Sequence, residues 1–150
     1  MASDKKLENQ ITLKEVLAFI KKQQLVFFST VDGDQPRVRP VTFHHIDDRY
    51  WIVTNSQSAK VKQLRLNPKV EVCIYLENKE YQFGSGYIRA EGRAEIIKDM
   101  DTRFKIGSQT GLFGAFYKGA DDQNYTLLEI HVKKIEYLRL PDFKQHRFTL

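Results

Sequence analysis

The period of hydrophobic and polar positions changes along this chain, and each change marks an element. Leu13, Val16, Leu17 and Ile20 recur at helical spacing. Thr12-x-x-Glu15 ahead of them reads as a capping box, in which each side chain satisfies an orphan backbone donor. The pattern predicts a helix over residues 12–23. Residues 25–31 are rich in aromatic and β-branched side chains and read as a strand. Asp32-Gly33-Asp34 is a turn, residues 37–44 the return strand, Asp47-Asp48 a second turn and residues 50–54 a third strand. These three strands form an antiparallel meander.

Asn55 to Ser58 breaks the alternation. Val61 and Leu64 then mark a short helix that ends before Asn67-Pro68, because the residue before proline disfavours helical geometry. Val70, Val72, Ile74 and Leu76 alternate with polar or smaller positions, the signature of a half-buried strand. Residues 87–97 alternate again, with Ile88, Ala90, Gly92, Ala94 and Ile96 on one face and Arg89, Glu91, Arg93 and Glu95 on the other. Residues 99–106 read as a short helix. Residues 107–124 hold Gly107, Gly111, Gly114 and Gly119 with Phe113, Phe116 and Tyr117 between them, a loop punctuated by glycine and aromatics. A last long strand covers residues 125–140. Six mostly antiparallel strands with flanking helices favour a mainly β, closed barrel, since closure removes exposed edges. A barrel this small fills its own interior with side chains, which leaves the outside or a subunit interface for a ligand.

Composition narrows the class. At 150 residues the chain is one domain, residues 1–150, with a polar first decad expected to be flexible. A single cysteine excludes an internal disulfide framework and a cysteine-rich zinc site. No apolar run is long enough to span a membrane, and no leader pattern opens the chain, so a cytoplasmic protein is expected. The formal charge of +5 suits phosphate-bearing ligands but is too small and too dispersed for a nucleic-acid surface.

Common catalytic signatures are missing: there is no phosphate-binding P-loop, no H-E-x-x-H helix, no G-x-S-x-G elbow and no S-x-x-K pair. His45, His131 and His146 have no metal-ligand spacing, so no metal site is expected. Two stretches carry candidate chemistry. Thr54-Asn55-Ser56-Gln57-Ser58-Ala59-Lys60 leaves a strand and enters a helix, whose N-terminus offers unpaired N–H groups to an anion. Ser58 and Lys60 stand there to add a hydroxyl and a charge; a plain N-cap with solvated lysines is the competing reading. In Arg37-Val38-Arg39-Pro40-Val41 the two arginines share one strand face, either solvated or converging on a phosphate. The meander makes this strand a neighbour of the one that ends at Thr54. Cys73 reads as an inert small residue, Trp51 as core or interface, and the loop aromatics as either a ligand wall or a cap on the barrel.

Taken together, Phe27-Phe28-Ser29-Thr30-Val31-Asp32-Gly33, then Pro36-x-Val38-Arg39-Pro40-Val41, then Val53-Thr54-Asn55-x-x-Ser58-x-Lys60-x-x-Gln63-Leu64-x-x-Asn67-Pro68 resembles the pyridoxamine 5'-phosphate oxidase-like family of FMN-binding split β-barrels, in its small general-stress-protein branch. The likeness covers nearly the whole chain. It implies a six-stranded antiparallel split barrel and a homodimer with two FMN sites at the interface. Arg39, Val41, Thr42, Val53 and Thr54 would line the flavin, Ser58 and Lys60 would hold its phosphate, and Tyr87 would reach the partner's flavin. His44 falls near a substrate-facing position and is a candidate proton donor, with a structural histidine as the alternative. Many members carry Arg before the phosphate lysine, where this chain has Ala59; Arg37 is a candidate to compensate. The longer oxidases add a basic C-terminal extension for the vitamin phosphate. This chain ends at Phe148-Thr149-Leu150 without that pattern, so vitamin B6 oxidation is not expected.

The resemblance implies a flavin-dependent oxidoreductase acting on an unidentified small substrate, in which flavin does the redox chemistry. A non-catalytic flavin-binding stress or redox protein is the second reading. A third keeps the fold and uses F420 or haem, because fold alone does not settle a cofactor.

Overall fold

The computed structural model describes residues 11–77, 86–140 and 143–150. The polar first decad and Gly84-Ser85 lie outside the described residues. The elements run α1 (Leu13–Ile20), β1 (Gln24–Asp32), β2 (Gln35–Ile46), β3 (Arg49–Asn55), α2 (Ala59–Leu66), β4 (Lys69–Leu76), β5 (Gly86–Ile96), α3 (Met100–Gln109), β6 (Tyr125–Arg139) and β7 (Lys144–Thr149).

Local chemistry sets most boundaries. The Thr12 hydroxyl accepts from the Glu15 N–H at 3.3 Å and the Glu15 carboxylate accepts from the Thr12 N–H at 2.7 Å, so the capping box starts α1. The helix ends at Ile20, three residues short of the expected limit. The β2–β3 turn is made by Asp47 and Asp48, both in the left-handed region (φ 54° and 56°) that a mirror-image hairpin turn requires. Asn67 leaves α2 in extended backbone (φ −145°, ψ 106°), as a residue before proline must.

The strands order as β3-β2-β1-β4-β5-β6-β7, every pairing antiparallel, and β3 also pairs with β6. Six strands therefore close a ring. The seventh, which the pattern of the sequence does not show, stands outside it. One edge of β6 carries β3 along residues 125–130 and β7 along residues 134–139, so β6 serves two partners in succession.

The ring's interior is apolar. Val26, Phe28, Phe43, Ile52, Val72, Ile74, Ile88, Leu128 and Ile135 point into it, and α1 closes it with Val16 and Ile20. A second cluster lies on the outer face of β3 and β6, where Trp51, Tyr125 and Leu127 pack with Ile97, just after β5, and with Ile106 of α3. The Trp51 indole N–H donates to the Ile46 carbonyl at 3.0 Å, so this residue belongs to the core. Cys73 lies half-buried on the outer face of β4, where burial pushes its thiol up. Among the described residues, no helix is long and apolar enough to cross a membrane.

Candidate functional site

The stretch from Thr54 to Lys60 behaves as its composition implies. β3 delivers Thr54, a short turn reverses the chain, and Ser58 takes the N-cap position of α2 in extended backbone. Its hydroxyl caps no helix N–H; it lies 3.4 Å from the Thr54 hydroxyl instead. From the second residue of the helix, the Lys60 ammonium donates to the Thr54 hydroxyl at 2.6 Å. Thr54, Ser58 and Lys60 are thus one polar group at a helix start.

Arg39 approaches this group from β2. Its guanidinium donates to the Thr30 hydroxyl at 2.8 Å, to the Phe28 carbonyl at 3.2 Å and to the Gln63 side-chain oxygen at 3.1 Å. Gln63 also accepts from Thr30 at 2.6 Å, so β1 and α2 together fix the arginine. Burial, and then the neighbouring Arg39, hold the Lys60 amine below the ordinary lysine range. Burial, and then Arg37, act on Arg39 in the same direction. Among the described residues neither cation forms an ion pair with a carboxylate. Arg37 does: it stands 3.5 Å from Asp32 across the hairpin. Arg37 is not among the residues that line the cleft beside Lys60, though its charge still acts on Arg39.

A cleft of about 390 Å³ opens beside this group. Pro40, Val41, Thr42 and His44 of β2 form one wall, with Val53, Thr54 and Lys60 at its base. That volume falls within the ~300–1,000 Å³ usual for small-molecule sites. Thr110, Leu112, Phe116 and Tyr117 face it from the loop after α3. Arg103 holds that loop: its guanidinium donates to the carbonyls of Ala120 and Tyr125, both at 2.9 Å, and stacks over the Tyr125 ring. Positive φ at Gly111 and Gly114 (74° and 85°) lets the chain fold back between them. The aromatics divide their work. Phe113 packs edge-on against Tyr125 as a cap, Phe116 stands exposed at the cleft, and Tyr117 touches both.

Of the residues the sequence singled out, Val41, Thr42, His44, Val53, Thr54 and Lys60 line the cleft, and Arg39 and Ser58 adjoin it. Tyr87 does not; it lies on β5 opposite Tyr75 and Leu138. His44 is only 4% exposed, and burial lowers its pKa below the ordinary 6.5, so its imidazole is neutral at neutral pH. The contributions of Thr110 and Leu112 have no local signal in the sequence; Thr30 and Gln63 stand within the stretches that carry the resemblance, without a role of their own there.

Comparison with known proteins bears on the family and the fold. The family model described as pyridoxamine 5'-phosphate oxidase matches residues 12–139. The chain belongs to that family. A NimC/NimA family protein from Clostridium acetobutylicum superposes with a TM-score of 0.71 at 24% identity, over 92% of each chain. General stress protein 26 from Bacillus anthracis superposes with a TM-score of 0.66 at 26% identity, over 90% of this chain and 97% of that one. A FAD-binding protein from Mesorhizobium loti shares the fold at 14% identity, with a TM-score of 0.66 over 83% and 90% of the two chains. Curated proteins give no significant match.

Proposed function

We propose that this protein is an FMN-binding flavoprotein, a flavin-dependent oxidoreductase for a small substrate, with FMN seated at the interface of a homodimer. The observation that carries the reading is the pair Lys60 and Arg39, two partly buried cations side by side at a helix start, without a carboxylate partner among the described residues. A buried cation without a counter-ion costs free energy, and a phosphate would remove that cost. Lys60 and Ser58 would hold the phosphate, and Arg39 would add its field. Val41, Thr42, Val53 and Phe116 present the apolar and backbone surface a flat ring needs. Bound FMN supplies the hydride and electron transfer; the protein supplies its position and surroundings. His44, neutral and buried at the same cleft, offers one hydrogen bond rather than a charge.

The outer face of the barrel supports the second copy. Leu25, Phe27, Val38 and Tyr75 are 67%, 47%, 68% and 53% exposed. Phe27 pairs with Pro40 and Cys73, Leu25 with Thr42, so one apolar face crosses β2, β1 and β4. Patches of this kind mark interfaces. Through Pro40 and Thr42 the face runs into the cleft, so a partner seated on it would also cover the flavin. Tyr87 would then act on the other protomer's flavin.

The test is an absorbance spectrum of the purified protein, before and after FMN addition and desalting, with the mass in solution. One retained flavin per chain in a dimer is expected. A protein that stays colourless overturns the assignment, and a Soret band replaces flavin with haem. Turnover with reduced nicotinamides then separates the oxidoreductase from a non-catalytic flavin protein.

A further inference from the structure

Glu95, Glu129 and His131 form a cluster on the outer face of β5 and β6, away from the residues that line the cleft. Their positions are 36 residues apart at most along the chain and are joined only by strand register. Glu95 lies directly opposite Glu129 in the β5–β6 pairing, and His131 follows Glu129 two residues on, on the same face. Two carboxylates directly opposite one another across antiparallel strands repel. The repulsion matters more because Glu129 is only 7% exposed.

The surroundings offer incomplete relief. Arg49 stands 3.4 Å from one oxygen of Glu129. The other oxygen lies 3.3 Å from the His131 Nε2, and an oxygen of Glu95 lies 2.8 Å from that same nitrogen. One ring N–H cannot serve two carboxylates equally. A divalent cation in place of that proton would bind both oxygens and the nitrogen, and would cancel the repulsion. All three donor atoms already lie within 4.8 Å of one another. Zinc bonds of ~2.0–2.2 Å at a tetrahedral angle place donors roughly 3.3–3.5 Å apart, so only a small movement of the exposed Glu95 is needed. Arg49, on the far oxygen of Glu129, already holds that carboxylate in orientation, as partners of metal ligands commonly do.

We propose that Glu95, Glu129 and His131 are a binding site for a divalent transition metal, with Zn²⁺ the best fit. One nitrogen and two carboxylates suit zinc better than magnesium or calcium, which take six or more oxygens. Three protein ligands leave a fourth position for water. Solvent reaches the site through His131 and Glu95, whose side chains are 41% and 59% exposed. The proposal is independent of the flavin reading.

The test is calorimetric titration of the metal-stripped, tag-free protein with ZnCl₂, run with and without FMN, beside a thermal melt. One Zn²⁺ per chain and a raised melting temperature are expected. His131→Ala and Glu95→Gln should each weaken binding by at least the ~10–100-fold that even outer-shell losses cause. Both side chains are substantially exposed, so these variants should fold, whereas Glu129→Gln disturbs a buried ion pair. His45→Ala should bind as the wild type does. No heat and no thermal shift at millimolar Zn²⁺ overturns the site, as does wild-type affinity in His131→Ala or Glu95→Gln.

Discussion

Replacing Lys60 with methionine separates a ligand role from a structural one, because the two roles show in different measurements. If Lys60 holds the FMN phosphate, Lys60→Met removes one hydrogen bond between charged groups, worth about 1.5–3 kcal/mol. At ~1.4 kcal/mol per tenfold, FMN should bind roughly 10–100-fold more weakly. The free protein should respond differently. Burial and the Arg39 charge both disfavour the ammonium in the fold, so its removal relieves a cost. Against that stands the lost contact of the ammonium to the Thr54 hydroxyl at 2.6 Å, worth ~1.5–3 kcal/mol as a hydrogen bond from a charged group; that hydroxyl keeps Ser58 nearby. The two offset in part, and FMN-free stability should fall by no more than about 2 kcal/mol from wild type. There is a pH signature as well. With its pKa lowered, folded Lys60 sheds its proton before the unfolded chain does. Wild-type stability should therefore rise, relative to Lys60→Met, between the lowered pKa and 10.5. Flavin fluorescence titration gives the affinity, and urea unfolding of the FMN-free proteins at several alkaline pH values gives the stability. Unchanged FMN affinity would refute the phosphate assignment. A loss of several kcal/mol without FMN would show that the lysine is structural.

Three further outcomes follow from the packing. Trp51→Phe leaves the Ile46 carbonyl without its donor at 3.0 Å and opens space in a buried cluster, so it should cost about 1–3 kcal/mol in urea unfolding; a change below ~0.5 kcal/mol would contradict that accounting. Gly92 lies at the β5 bulge, where a Cβ would overlap the His131 carbonyl oxygen, and backbone on both sides cannot yield. Gly92→Ala should exceed the ~1–3 kcal/mol of ordinary overpacking, and a wild-type denaturation midpoint would rule out this close approach. Burial pushes Tyr50 and Tyr125 up to about 12; the Asp48 charge adds to the shift at Tyr50, and Arg103 opposes it at Tyr125. Folded protein then keeps protons that the unfolded chain loses near 10, so these groups lower stability as pH rises from 10 to 12. An ultraviolet titration should show Tyr50 and Tyr125 ionising late, with Tyr117 also raised, and ionisation of Tyr50 and Tyr125 at pH 10 in folded protein would disprove the burial.

Much of the site was legible because its parts are close in sequence. Thr54, Ser58 and Lys60 fall within seven residues, and a strand followed by a helix start brings them together without help from the rest of the chain. The meander then places Val41 and Thr42 beside Val53, since β2 and β3 are joined by a two-residue turn. Arg37 shows where that reasoning stops. Strand periodicity puts it on the Arg39 face, but the hairpin end also brings Asp32 within 3.5 Å, a contact that periodicity does not show. The opposite wall was legible only as an open choice, with Phe116 and Tyr117 read as a ligand wall or a cap and Thr110 and Leu112 not read at all. Thr110, Leu112, Phe116 and Tyr117 reach the cleft because Arg103 ties a long loop to the carbonyls of Ala120 and Tyr125. Nothing local to either segment encodes that bond.

The same division runs through the fold. Alternation on β4 and β5, the capping box of α1 and the proline boundary of α2 are consequences of side-chain period and backbone sterics, which act over a few residues; the sequence by itself determined them. β7 is different. Lys144–Thr149 is mostly exposed and polar, and it pairs along the edge of β6 left free beyond β3, so the ladder rather than burial makes it a strand. α3 likewise runs on through Gly107, where the Phe113 ring and the Tyr125 hydroxyl close over the missing side chain. The closure of β3 on β6, the covering of the cleft by the loop, and the meeting of Glu95, Glu129 and His131 were decided only by the tertiary structure. Each depends on which strand edges find each other, and hydrophobic period specifies faces but not neighbours.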